Sequence, residues 1–190
     1  WLHTTGITCA ISTSAAATAA AGLDIARKAG IKKSFDLNIR RKLWSEEQAR
    51  KVLEPIARDV DLLIGGEDEY CAIFGTSDPQ EALRIAASRN NELVIMTHGP
   101  EQLTCAVAGE ITVVHPPQVK SVDPVGSGDA FTSGVISGLL GGLTFSDAIS
   151  QGTISGARVA SQFGDWAGLP SGRSGITDQS FIDEILGKAS

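Results

Sequence analysis

Short apolar runs alternate along the chain with longer stretches in which small and apolar residues recur at helical spacing, and that alternation sets the expected architecture. Trp1–Thr5 reads as the end of a strand, and Ser14 opens an alanine-rich helix to about Lys28, stopped by Gly30. Lys33–Leu37 is a short strand that runs into Asp36-Leu37-Asn38-Ile39-Arg40, after which Ser45-Glu46-Glu47-Gln48 forms a capping box for a helix to about Arg58. Asp61–Ile64 is a second apolar strand. It passes through Gly65-Gly66 into a helix with an acidic start, Glu67-Asp68-Glu69, which runs to Gly75, and Asp78-Pro79 caps the next helix, to about Arg89. Glu92–Thr97 is an apolar run of the kind buried on both faces of a parallel sheet, and it ends at His98-Gly99-Pro100. Leu103–Ala108 and Glu110–His115, joined at Gly109, read as a hairpin that gives the sheet an antiparallel edge. Beyond Pro116-Pro117 lie an apolar helix to about Leu140, a long helix over Thr144–Gln162, a polar loop at Gly164-Asp165-Trp166 and a last amphipathic helix over Thr177–Leu186.

Strands that alternate with helices predict an α/β fold with a mainly parallel sheet. In such sheets ligands bind outside the C-terminal ends of the strands, which puts Asn38, Arg40, the Gly65–Glu69 turn, His98 and Gly99 on one rim. The chain's 190 residues fit one domain, and no internal repeat, low-complexity tract or linker divides them.

Charge and composition remove several classes of function. Sixteen Lys and Arg against 22 Asp and Glu leave a net charge of −6, the wrong sign for a surface that coats nucleic acid phosphates. The first 23 residues lack Asp, Glu, Lys and Arg, but their seven Ser and Thr and the absence of a basic start fit neither a signal peptide nor a membrane span. Cys9, Cys71 and Cys105 are far apart and form no metal-ligand pattern, so a reducing, cytoplasmic location is expected.

Chemistry concentrates at Gly126-Ser127-Gly128-Asp129. Backbone N–H groups of a Gly-x-Gly turn at a helix start converge on an anion, with the helix dipole aiding them. The same turn also reads as an ordinary helix opening with Ser127 or Asp129 as the N-cap. Phe131 stands where a dinucleotide fingerprint needs its third glycine, and no Gly-Lys-Ser/Thr comes after it, so neither an NAD site nor a P-loop is indicated. Asp129 is the informative residue: a carboxylate beside a phosphate nest repels its ligand unless it takes a proton from an attacking hydroxyl, which suggests phosphoryl transfer to an alcohol.

The nine residues Asp123-Pro124-Val125-Gly126-Ser127-Gly128-Asp129-Ala130-Phe131 resemble the C-terminal signature of the ribokinase-like (PfkB) carbohydrate kinases. Within that family the stretches from Asp36 to Trp44, Trp1 to Ile7 and Gly164 to Pro170 are similar to the 2-keto-3-deoxygluconate kinase branch. The resemblance implies a three-layer α/β/α fold and an ATP- and magnesium-dependent sugar-acid kinase, a homo-oligomer at full length, acting on a small molecule and on neither nucleic acid nor membrane. It makes Asp129 the catalytic base and the amides of Gly126, Ser127 and Gly128 the anion hole. By the same carry-over Asn38, His98 and Gly99 lie beside ATP, Arg40 faces the substrate carboxylate and phosphate region, and Asp165 hydrogen-bonds the sugar acid. Glu69 serves magnesium through water, and Asp123 holds a monovalent cation such as potassium.

Each residue also has a plainer reading. Arg40 belongs to a charged run with Arg41 and Lys42, Asp165 caps a turn, Asn38 ends a strand, His98 fills a loop, and the acidic triplet complements a helix N-terminus. Two positions depart from the family pattern: Gly66 replaces the Asn of N-x-x-E, and Gln102 replaces the second glycine of the nucleotide loop. The resemblance covers the C-terminal part of a family member. No lid or N-terminal glycine pair is found upstream of Trp1, so the piece is expected to be inactive alone. A kinase for a neutral sugar such as ribose or fructose, and an inactive nucleotide-binding or structural relative, are the competing expectations.

Overall fold

The computed structural model describes residues 1–88 and 91–169. The expected helix over Thr177–Leu186 and the end of the helix expected to reach Arg89 lie outside those residues. Two compact units are present, Trp1–Val114 and one that begins at His115.

The first unit holds a six-stranded sheet in the order β1-β2-β3-β4-β5-β6, formed by Leu2–Thr5, Lys33–Asp36, Leu62–Gly66, Leu93–His98, Gln102–Val107 and Glu110–Val114. Strands β1 to β4 are parallel, and β5 and β6 are antiparallel, as the hairpin pattern predicts. Ala108 and Gly109 both take positive φ (50° and 85°), the geometry of a tight two-residue hairpin turn. The crossovers are α1 (Gly6–Ile11) with α2 (Thr13–Lys28), then α3 (Glu46–Ala57), then α4 (Glu67–Phe74) with α5 (Pro79–Ala87). Strand order never reverses, so right-handed crossovers put all five helices on one face. The core shows it: Phe35, Leu63, Val94, Met96 and Ala106, alternate residues of their strands, share one buried cluster with Leu23, Leu53, Tyr70, Ile73 and Leu83 from the helices. Leu62, Ile64, Leu93, Ile95, Leu103 and Cys105, of the opposite face, are buried as well. The fully buried Tyr70 hydroxyl lies within hydrogen-bond reach of two carbonyls, Leu63 O at 3.1 Å and Ile95 O at 3.2 Å.

Two local expectations need correction. Helix begins at Gly6 rather than Ser14, and Ser12, whose Oγ accepts from Ala15 N, caps a second helix from Thr13. A glycine start with no capping side chain leaves no sequence signal for α1. Strand β3 continues through Gly65-Gly66, which pair with Met96 and Thr97 rather than forming a turn. Gly65 is small for a reason, since a Cβ there would lie 2.8 Å from Leu37 Cδ1.

Gly6 is the tightest point of the unit. A Cβ at this position would stand 1.9 Å from the Leu37 carbonyl oxygen. We expect Gly6→Ala to lower stability by about 1–3 kcal/mol or more, because backbone, not a flexible side chain, must move. In Gly22→Ala the new methyl meets Leu2 at 3.7 Å, and helix propensity favours alanine, so no loss is expected. Urea unfolding of the two variants checks this, and equal midpoints would refute the contact.

The second unit contains α6 (Ser127–Leu140) and α7 (Phe145–Ala160), the latter capped by Thr144. They pack antiparallel with their backbones almost touching: a Cβ on Gly134 would lie 2.8 Å from Gly152 Cα, and one on Gly156 would lie 3.0 Å from Ser127 O. The glycines at 134 and 138 on α6 and at 152 and 156 on α7 thus let α7 support the first turn of α6, where the chemistry was expected. Among the described residues no helix is long and apolar enough to cross a membrane.

Candidate active site

In the second unit the signature folds into a turn that delivers an open helix start. Val122 N and Asp123 N donate to Ala160 O, fastening the turn to the end of α7. Asp123 Oδ1 accepts from Val125 N at 3.0 Å, and Oδ2 accepts from Gly164 N at 3.3 Å. Asp123 therefore holds both its own turn and the Gly164-Asp165-Trp166 loop, and only its remaining lone pairs are left for a monovalent ion.

Gly126 is the N-cap of α6, with φ 79° and ψ −8°, and no side chain caps the helix. Neither Ser127 nor Asp129 plays the capping part that the plainer reading gave them. Ser127 Oγ donates to Pro124 O at 2.7 Å, and Ser127 N donates to the same carbonyl at 3.2 Å. Asp129 sits in the first turn with its side chain exposed, beside an exposed Gly128. A Cβ on Gly126 would meet Asp165 Cβ at 2.7 Å and Asp165 O at 2.8 Å, so the Asp165 backbone lies directly against the turn. The structure thus gathers Asp123, Gly126, Ser127, Gly128, Asp129 and Asp165. An uncapped helix N-terminus with a glycine in left-handed conformation suits a phosphate, and the adjacent carboxylate suits a proton acceptor.

The first unit gathers its own set at the C-terminal ends of the parallel strands. Asn38 adopts φ 32°, a conformation Asn tolerates better than other non-glycine residues, and its N–H donates to Asp36 Oδ1 at 3.1 Å. Glu69 Oε1 accepts from Ile39 N at 2.6 Å and Oε2 from Gly66 N at 2.8 Å. Burial pushes the Glu69 carboxyl up, and these two amide bonds oppose the shift. With both oxygens engaged, Glu69 fits magnesium only through a water on its free lone pairs, which suits a cation held mainly by phosphates and water. Among the described residues no three His, Cys, Asp or Glu side chains form a metal cluster.

Arg40 is exposed and, among the described residues, forms no salt bridge, whereas its neighbour Arg41 pairs with Glu46 at 2.9 Å and Asp68 at 2.8 Å. The charged run is therefore not uniform. His98 is more than loop filling: Nδ1 lies 2.6 Å from Glu67 Oε2 and Nε2 lies 2.8 Å from Thr104 Oγ1. Gly99, at φ 66°, makes the bend directly after it. Gln102 opens β5 opposite His98 in the ladder, a place that needs no glycine. Gly66 caps α4 without a side chain, and Glu69 reaches back to its N–H. Sequence reasoning missed the ties of Glu67 to His98 and of Asp68 to Arg41. It also missed the helix contact at Gly152 and Gly156, which their four-residue spacing, matched at Gly134 and Gly138, signals. The three thiols are free, and burial raises that of Cys105 to about 12.

The chain is 32% identical over 169 residues to the 2-dehydro-3-deoxygalactonokinase of Haloferax volcanii, covering 87% of this chain and 52% of the relative. It is 30% identical over 172 residues to the 2-dehydro-3-deoxygluconokinase of Bacillus subtilis, covering 90% and 53%. The crystal structure of a double-mutant fructokinase from Vibrio cholerae O395, bound to fructose, ADP and potassium ion, superposes with a TM-score of 0.82 at 26% identity, over 96% of this chain and 59% of that one. The chain spans about half the length of the curated relatives it matches. Its six-stranded α/β sheet is the ribokinase-like fold expected from the sequence, residues 2–171 match the pfkB family carbohydrate kinase profile, and the chain belongs to that family.

Proposed function

We propose that the protein is an ATP-dependent kinase for a sugar acid of the 2-keto-3-deoxygluconate type. The observation that carries this reading is the exposed Asp129 carboxylate in the uncapped first turn of α6, one turn from a glycine in left-handed conformation. Asp129 takes the proton of the acceptor hydroxyl as its oxygen bonds to the terminal phosphorus of ATP; the bond to the bridging oxygen breaks, and ADP leaves with that electron pair. The amides at the start of α6, except that of Ser127, which was expected to take part but donates to Pro124 O within the turn, stabilise charge on the transferring group with the helix dipole behind them. Magnesium, when bound, supplies further neutralisation of the phosphates, with Glu69 as its water-mediated contact.

The acid substrate is supported by Arg40, whose guanidinium is exposed and outside the ion pairs that occupy Arg41. The names of the Haloferax and Bacillus relatives point the same way. The Vibrio structure with bound fructose favours a second reading, a kinase for a neutral ketose. Kinetics of the product of the complete gene separate the two. Arg40→Ala is expected to raise KM for 2-keto-3-deoxygluconate roughly ten- to hundredfold, the cost of a lost hydrogen bond between charged groups, and to leave KM for fructose unchanged. Equal changes for both sugars would remove Arg40 from carboxylate recognition.

A further inference from the structure

Consecutive residues of a helix project about 100° apart, so carboxylates in one turn can reach more than one neighbouring segment. The first turn of α4 does this. Glu67 bonds to His98, at the end of β4. Asp68 bonds to Arg41, in the loop between β2 and α3. Glu69 bonds to the amides of Ile39 and Gly66. The residues on either side of Arg40 are thus both fastened to α4, Ile39 through its backbone and Arg41 through its side chain, while Arg40 itself stays free of salt bridges among the described residues. Glu46, in the first turn of α3, takes the Nε of Arg41 and fixes the guanidinium from a second side.

His98 belongs to the same arrangement. A carboxylate only accepts, so Nδ1 donates to Glu67, and Nε2 is taken by the Thr104 hydroxyl. Neither ring nitrogen is left for a ligand. Both ring nitrogens of His98 thus hold the end of β4, directly before the bend at Gly99.

We infer that the first turn of α4 positions both binding loops of this unit, Asp68 through Arg41 setting the loop that presents Arg40, and Glu67 through His98 setting the loop that bends at Gly99. The inference rests on the proposed reading in which Arg40 meets the sugar carboxylate and the Gly99 loop meets ATP. Glu67, Asp68, Arg41 and Thr104 are positioning residues in it. The Arg41 pairs are half exposed, with 53% of that side chain accessible, so their loss leaves the fold intact and shows itself in loop placement.

The test is steady-state kinetics on the product of the complete gene, with both substrates varied. Arg41→Gln and Asp68→Ala are each expected to raise KM for the sugar acid about three- to tenfold, with kcat and KM for ATP within about twofold, and Asp68→Glu restores the constant. The double variant is expected to be no worse than the poorer single one, since both remove the same tie. Glu67→Ala and Thr104→Val show the converse, a raised KM for ATP alone. Hydrogen exchange gives a readout independent of turnover: Arg41→Gln speeds exchange at the Ile39 and Leu43 amides and leaves residues 98–102 unchanged. If Arg40→Ala moves the acid constant while Arg41→Gln and Asp68→Ala do not, the inference fails and the function stands. If Arg40→Ala is silent, the sugar-acid reading fails, and exchange at Ile39 and Leu43 alone decides whether α4 sets the loop. Both constants moving together in every variant would mean ordinary destabilisation and overturn the inference.

Discussion

Asp129→Asn is expected to lower turnover of the product of the complete gene by about a hundred- to ten-thousand-fold, with nucleotide affinity within a few-fold of the parent. The magnitude is that of general-base catalysis alone. Asn matches Asp in shape and can still occupy the exposed place in the first turn of α6, so the change removes the ability to accept a proton and little else. Structure supports a clean result, because Asp129 is not the N-cap; Gly126 is, and α6 does not depend on the carboxylate to begin. A small gain in nucleotide affinity is even expected, since a negative charge has been removed beside a phosphate site. Turnover is read by a coupled assay and affinity by calorimetry. Near-parental turnover in the variant would take Asp129 out of the base role, and an inactive parent that still binds nucleotide would favour the non-catalytic relative.

The fold was legible where periodicity and punctuation coincide. Ser45 to Gln48 announced α3, and both reciprocal capping bonds are present. The hairpin at Gly109 and the apolar strand that becomes β4 were equally plain. What sequence could not show were consequences of tertiary contact. Position 6 is glycine because Leu37 O lies so close that nothing larger fits, and Gly65-Gly66 extends a strand because β4 offers ladder partners that a dipeptide pattern does not reveal. At the candidate site the residue types were legible one by one, and their partners were not. Arg40, Arg41 and Lys42 look alike as a charged run; only the positions of Glu46 and Asp68 separate the guanidinium of Arg41, held in two ion pairs, from that of Arg40. The acidic triplet read as a complement to the helix dipole, yet each of its carboxylates has a specific bond, that of Glu67 to the end of β4 and those of Asp68 and Glu69 to the loop after β2.

The turn before α6 offers the second large effect, through two glycines that differ in backbone conformation and in what surrounds them. Gly126→Ala places a methyl on a residue at φ 79°, where an L side chain costs about 1–2 kcal/mol, and drives it to 2.7 Å from Asp165 Cβ and 2.8 Å from Asp165 O. The turn can relieve the clash only by rotating away from its left-handed conformation, which redirects the amides at the start of α6, or by pushing the Gly164-Asp165-Trp166 loop off Asp123. Either movement dismantles the anion site, so loss of stability and loss of activity are expected together. Gly128→Ala is the contrasting case. Its Cβ meets nothing within 4 Å, its backbone is already helical, and alanine is the better helix former by about 1 kcal/mol, so the variant should melt no lower than the parent. If a phosphate approaches the first turn closely, that methyl nonetheless stands in its way, and activity falls in a fully stable protein. Thermal unfolding and kinase assays on the two variants therefore separate scaffold from site. Gly128→Ala with parental stability and parental activity would show that no ligand comes near the first turn of α6, and would remove the nest from the mechanism.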